Sequence, residues 1–265
     1  MTAPVFLVPA VRQAGRALPL GELDVGGAAV FGGNEGGHAA RSLRLLQGER
    51  ADLVDGCGLR LTCEVLAANR DRGEIEFKVL EKTQEPERFP KLTLVQSLAK
   101  SGRDEQAIES ATELGVDRII PWQADRSIVR WKGSKGERAL SKWQSVIAAA
   151  TKQSRRARIP ELLAPASSSE LAAKVRQLKA GGETVLVCHE EASFSLKDAA
   201  SAALGKGDLA GITVVVGPEG GISGAELAAL QSAGATPVLL GPEVLRSSSA
   251  GPAALVALNL LAGRW

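Results

Sequence analysis

The 265-residue chain is poor in the residues that build metal and disulfide proteins. It has three cysteines, Cys57, Cys63 and Cys188, with no CxxC pair among them, and two histidines. So odd and sparse a set argues against a zinc site and a disulfide framework, and suits a reducing compartment. Net charge is scarce too, and a formal +2 at pH 7 names no partner. Long apolar runs are missing: AALVALNLLAG, at 253–263, is roughly half of the ~20 residues a membrane span needs. The opening MTAPVFLVPAVRQAG lacks a basic lead-in and is interrupted by Pro4 and Pro9. A cytoplasmic protein without targeting segment or membrane attachment is therefore expected. Two familiar phosphate cradles are also absent, since neither GxxxxGKS/T nor GxGxxG occurs.

What is present is an ordinary globular composition, 45% hydrophobic and 23% charged, in a chain long enough for one large domain or two smaller ones. Two textures follow one another. Up to about residue 83 the signals are short strands and glycine turns. GEIEFKVLE alternates Ile75, Phe77 and Val79 against Glu74, Glu76 and Lys78, and LRLTCEVL alternates likewise, which predicts half-buried strands. VFGGNEGGHAARSLRLLQGE reads as a glycine-rich loop before a basic segment. These features predict a small β-barrel over 1–83, with the boundary in the charged, proline-bearing KTQEPERFPK.

From 84 to 265 apolar strands alternate with helical patterns. LTLVQSL, VDRIIPW (closed by Pro121), TVLVC and ITVVV read as strands. DEQAIESATELG reads as a helix ending at Gly115, and ERALSKWQSVIAAATKQ as one burying Leu140, Trp143, Ile147 and Ala150. Such alternation predicts a mostly parallel α/β sheet. VVVGPEGG at 214–221 is echoed by VLLGPEVL at 238–245, with a Ser223/Glu226 capping box opening the helix between them. A last helix is expected to begin near Pro252. Two similar loops thus leave the carboxyl ends of two parallel strands, the edge on which open α/β sheets bind ligands.

Gly220 and Gly221 allow positive φ and close approach to the main chain, so the loop either serves only the fold or admits a ligand. Glu219 would repel a pyrophosphate, and an uncharged or cationic ligand such as S-adenosyl-L-methionine fits better. Arg246 and Ser247–Ser249 set a cation and three hydroxyls beside the second loop, where they either cap the last helix or serve a site. Between Arg126 and Arg158 ten Lys/Arg face one acid, Glu137, a local +9 that leaves −7 for the rest of the chain. Such a run is either a solvated face or a phosphate-binding one. Arg155, Arg156 and Arg158 follow an amphipathic helix and are expected to be presented together, to RNA or DNA.

VVVGPEGGISGAEL and LLGPEVLRSSSAGPAAL resemble the signature of the SPOUT superfamily of methyltransferases, and within it the family that methylates N3 of a uridine in 16S ribosomal RNA. HAARSLRLLQGE, AKSGRDEQAIESATELGVDRIIPW and AAATKQSRRARIPEL are similar to further family segments, in the same order from about residue 30 to 262. The resemblance implies a PUA-like N-terminal β-barrel over 1–83 and a SPOUT α/β domain with a deep trefoil knot over 84–265. It implies S-adenosyl-L-methionine as co-substrate without a metal, 16S rRNA within the small ribosomal subunit as partner, and a homodimer. Carried over by position, Gly217, Pro218, Glu219, Gly220, Gly221, Leu240, Gly241, Val244 and Leu245 become cofactor-binding candidates. Arg246 and Ser248 become catalytic candidates, and His38, Arg41, Arg44, Arg126, Lys152, Arg155, Arg156 and Arg158 RNA-binding ones. Ser248 stands where many members carry Glu, which puts a carboxylate base in the second loop in doubt, and Lys152 stands where a Glu often precedes Gln-Ser, which makes the RNA face more basic. Ribose 2′-O-methylation and a non-catalytic RNA-binding role remain as alternatives.

Overall fold

The computed structural model describes residues 3–265; Met1 and Thr2, with which the opening stretch begins, lie outside it. The chain divides into two compact units, one running to Glu87 and including Thr151–Ile159, the other made of Arg88–Ala150 with Pro160–Trp265.

The first unit contains β1 (Val5–Leu7), β2 (Ala10–Gln13), β3 (Arg16–Pro19), β4 (Ala28–Phe31), the short helix α1 (Gly33–Gly37), β5 (Arg50–Val54), β6 (Leu59–Asn69) and β7 (Glu74–Gln84). Among the described residues these strands form one seven-stranded sheet, in the order β1-β5-β6-β7-β4-β2-β3. Leu59, Leu61, Cys63 and Val65 of β6 and Ile75, Phe77 and Val79 of β7 are buried, as alternation requires. Register shifts after Thr62 and Val65 mark bulges, which bend a strand and increase its twist. The sheet curls around Phe31, whose ring lies 5.4 Å from Phe6 and 5.9 Å from Phe77. It is a half-barrel: β1 and β3 stay as edges, three and four residues long, and short edges resist further pairing. The glycine-rich stretch is helical rather than a loop, α1 passing into a wider turn over His38–Ser42. Gly36 makes this possible, because a Cβ there would run into the Gly73 carbonyl of the β6–β7 turn.

The second unit contains β8 (Lys91–Ser97), α2 (Arg103–Glu113), β9 (Arg118–Gln123), most of α3 (Gly133–Gln153), β10 (Glu161–Leu162), β11 (Ala166–Ser167), α4 (Ser168–Ala180), β12 (Glu183–Cys188), α5 (Leu196–Leu204), β13 (Gly211–Val216), α6 (Gly224–Ser232), β14 (Thr236–Val238) and α7 (Ser247–Leu261). Its sheet runs β10-β9-β8-β13-β12-β14, with β11 also on β9, and every pairing is parallel. All six residues of β13 are buried, as expected of a central parallel strand covered on both faces.

Two boundaries differ from the sequence reading. Pro121 lies inside β9, opposite Gln96 of β8, instead of closing it. Trp122 O accepts from Leu98 N while Ile119 O accepts from Leu163 N, so alternate residues serve opposite neighbours. Pro121 therefore faces the side where pairing breaks between Leu162 and Ala166, and its missing N–H costs no ladder bond. The last helix starts at Ser247, with Arg246 as its extended N-cap, and Pro252 sits inside it. Ser249 N and Ala250 N both donate to Arg246 O, at 2.8 and 2.9 Å, which closes the first turn without a serine side chain.

Truncating Phe77 to Ala should destabilise the first unit by about 3–5 kcal/mol, as large cavities do, measured as a fall in its denaturant midpoint.

Candidate active site

Register brings three strand ends level. Val187 of β12 pairs with Val215 of β13 on one side and with Pro237 of β14 on the other. The three chains therefore leave the sheet side by side, and their loops wall a cavity of about 650 Å³ with Gly217–Ile222, Cys188–Glu191 and Leu239–Ser247. That volume lies within the usual range for small-molecule sites.

The first loop is tight for internal reasons. A Cβ on Gly217 would lie 2.6 Å from Ile222 Cγ1, and one on Gly220 would lie 3.2 Å from Arg126 Cβ. Gly221 has φ +72° and donates its N–H to Pro218 O at 2.9 Å. These glycines serve the turn itself, and the same bareness leaves main chain facing the cavity.

The loop is anchored through Glu226. Its side chain reaches back to Ser223 N at 2.9 Å while Glu226 N donates to Ser223 Oγ at 3.2 Å, the capping box that starts α6. The other carboxylate oxygen accepts from Asp125 N at 2.7 Å and from Ser168 Oγ at 2.6 Å, and Ser168 Oγ accepts from Trp122 Nε1 at 3.3 Å. Burial alone would raise the Glu226 pKa, but the hydrogen bonds from Ser168, Asp125 and Ser223 outweigh it and hold the carboxyl below its usual range. The adjoining Arg126 donates from Nη1 to Gly220 O at 3.1 Å.

Charges on the wall are of both signs. Arg103, Arg126 and Arg246 face Glu190, Glu191, Glu219 and Glu243, and Arg103 Nη1 lies 3.5 Å from Glu219 Oε1. An exposed pair of that length contributes little to stability and leaves the carboxylate open to a cationic ligand. Burial pushes the Cys188 thiol up to about 12, so at neutral pH it is an uncharged wall rather than a nucleophile. Exposed main chain, acceptor-rich rims and no phosphate cradle suit an adenosine bearing a sulfonium. Among the described residues no group of three His, Cys, Asp or Glu side chains could hold a metal ion, and no helix is long and apolar enough to cross a membrane.

Of the residues singled out from sequence, Gly217, Pro218, Glu219, Gly220, Gly221, Leu240, Gly241, Val244, Leu245 and Arg246 all line this cavity, and Arg126 joins them. Ser248 is buried in the first turn of α7 and is not on the wall, where Ser247 stands instead. His38, Arg41 and Arg44 lie in the first unit, and Lys152, Arg155, Arg156 and Arg158 are counted with it. Arg41 is engaged there, donating to the carbonyls of Arg70 and Asp71 at 2.9 and 3.0 Å. Lys152 and Arg158 face Glu35 and Glu87 at 2.6 and 3.6 Å, so the basic run is not presented as one free cluster. Sequence reading passed over Arg103 and the loop after β12. Its signal was the charged HEE that follows TVLVC directly.

A family model described as an RNA methyltransferase domain matches residues 85–259. The chain is 45% identical to the ribosomal RNA small subunit methyltransferase E of Mycobacterium bovis over 242 residues, covering 91% of this chain and 90% of that protein. It is 28% identical to the protein of the same name from Bacillus subtilis over 232 residues, covering 86% and 88%. Its fold matches the crystal structure of a ribosomal RNA small subunit methyltransferase E from Neisseria gonorrhoeae bound to S-adenosyl methionine, with TM-score 0.79, 26% identity and 98% of each chain covered. A putative methyltransferase from Legionella pneumophila in complex with the bound cofactor SAM matches with TM-score 0.79, 25% identity and 98% of each chain covered.

Replacing Glu226 by Gln should cost about 2–3 kcal/mol at pH 7, the worth of charge-assisted hydrogen bonds left poorly matched. The folded carboxyl titrates below its unfolded value of about 4.3, so its contribution is complete above that pH and lost as acid titrates the folded group. Urea unfolding of the two proteins at falling pH should show their stabilities converge.

Proposed function

The chain belongs to the ribosomal RNA small subunit methyltransferase E family, and from that premise we propose that it methylates N3 of a uridine in small-subunit ribosomal RNA. The broader activity, transfer of a methyl group from S-adenosyl-L-methionine to ribosomal RNA, is that of the family. The observation that carries the reading is the cavity at three level strand ends, walled by bare main chain and bordered by Arg246.

Bound S-adenosyl-L-methionine supplies a methyl group made electrophilic by its sulfonium. The residues of this chain have the remaining work. The main chain of Gly217–Gly221 and Leu239–Gly241 holds the adenosine and amino-acid ends without a phosphate-type cradle. Uridine N3 must lose a weakly acidic proton to become nucleophilic, and negative charge then spreads over the imide oxygens. Arg246, exposed on the cavity wall, stabilises that charge electrostatically. Ser248 is buried in the turn that Arg246 caps and off the cavity wall, so the base meets Arg246 and not this serine. Solvent takes the N3 proton, and positioning supplies much of the acceleration.

Val244 and Leu245, apolar and 77% and 41% exposed beside the cavity, favour a second copy of the chain covering that edge. The substrate context is the small ribosomal subunit in the cytoplasm.

Incubating the protein with methyl-labelled S-adenosyl-L-methionine and methyl-deficient small subunits, then digesting the RNA to nucleosides, should place the label in 3-methyluridine. Label in a 2′-O-methyl nucleoside, or none, overturns the assignment. Arg246→Ala should lower kcat by about 10²-fold, the scale of one lost oxyanion donor, with the dissociation constant for S-adenosyl-L-methionine within about twofold of the parent.

A further inference from the structure

The end of α3 contains an unfavourable choice of residue. Arg156 N donates to Thr151 O at 3.0 Å and Arg155 N to Lys152 O at 3.1 Å, the paired closure that puts the residue after the cap in the left-handed region. Arg155 occupies that position with φ 58°. Glycine is the usual occupant because it has no Cβ to crowd the following carbonyl, and a long, charged side chain gains nothing there for the fold.

The strained residue is held by a built arrangement in the same unit. Arg60 Nη2 donates to Arg155 O at 2.8 Å, and the same guanidinium bonds Glu85 Oε1 at 2.7 Å and Asp52 Oδ2 at 2.9 Å. Asp52 is steadied in turn by Thr62 Oγ1 at 3.0 Å. Neighbouring cations are committed: Lys152 donates to Glu35 Oε1 at 2.6 Å, and Arg158 to Glu85 O at 2.7 Å. The Arg155 side chain is exposed, and among the described residues no acid or carbonyl receives its guanidinium. A less strained glycine has thus been forgone for an exposed cation, on a turn whose main chain the two-carboxylate anchor holds.

We propose that Arg155 is a backbone-phosphate contact for the RNA substrate, kept at the expense of stability, and that Arg60 is the positioning residue that fixes its turn. This rests on the ribosomal RNA reading above. A single guanidinium on one phosphate adds affinity without reading sequence.

The test uses the full chain and small-subunit ribosomal RNA, with RNA binding measured apart from methyl transfer. Arg155→Gly should raise Tm by roughly 2–4 °C, because strain is relieved. It should also flatten the slope of log affinity against log salt by about 1 and raise KM for RNA several-fold, with kcat at saturating RNA and affinity for S-adenosyl-L-methionine unchanged. Arg155→Lys, which keeps both strain and charge, should retain the parental Tm and salt slope. Arg60→Gln should weaken RNA binding no further when combined with R155G, as expected of two residues acting as a unit. If Arg60→Gln fails to fold, Arg155→Gly decides alone. An Arg155→Gly protein with unchanged salt slope and KM, or with lowered Tm, overturns the proposal. A parent protein that binds the RNA but labels no uridine overturns the proposed base specificity and leaves this inference standing.

Discussion

One buried carboxylate governs the geometry of the second unit's ligand edge. Glu226 accepts from the main chain after β9, from a serine that opens α4 and from the residue that caps α6. Three separate segments are thereby fixed around two oxygens, and the glycine loop between β13 and α6 has no freedom to collapse into the cavity. Deep burial of a charge is costly unless each lone pair finds a donor. Here the donors outweigh burial, which is why the carboxyl stays ionised. The loop can then consist of little but main chain, because its shape is imposed from outside.

The same logic organises the rest of the edge. Parallel strands of unequal length would end at different heights, but the register of β12 with both neighbours brings β13, β12 and β14 to one row. From β13 the chain goes on as Gly217-Pro218-Glu219, from β14 as Leu239-Leu240-Gly241, and from β12 between them as His189-Glu190-Glu191. The result is a concave wall whose polarity changes across its width, with an uncharged thiol at its centre. The curled sheet of the first unit is held by different means, through aromatic packing and strand alternation around Phe31, and Arg12, Arg41, Arg60 and Lys82 are engaged by its own carboxylates and carbonyls.

Much of this was legible in the sequence because it is local. Alternation in β6 and β7, the capping box of α6 and the glycine that closes α2 each reside in a few consecutive residues. The paired GPE loops identified the two outer walls of the cavity for the same reason. What escaped is long-range. Glu226 meets Asp125 across 101 positions and Ser168 across 58, and Lys152 meets Glu35 across 117. No periodicity records such pairs. The middle wall was missed because strand order is not chain order: β12 lies between β13 and β14 in space and before both in sequence. Pro121 misled for a related reason, since a proline is tolerated in a strand where the neighbour in space asks for no N–H.

The cavity walls are drawn from strands whose pairings join distant parts of the chain, such as Lys91 with Gly211 and Gly211 with Glu183. Contacts of such long separation form late and together, so the concavity has no existence in a half-folded chain. Anything it holds is therefore coupled to the folding of the whole parallel sheet, and at a hundredfold excess over Kd the occupant contributes about 2.7 kcal/mol to the folded state. A filled cavity thus raises the resistance of the entire parallel sheet to unfolding, not that of its loops alone.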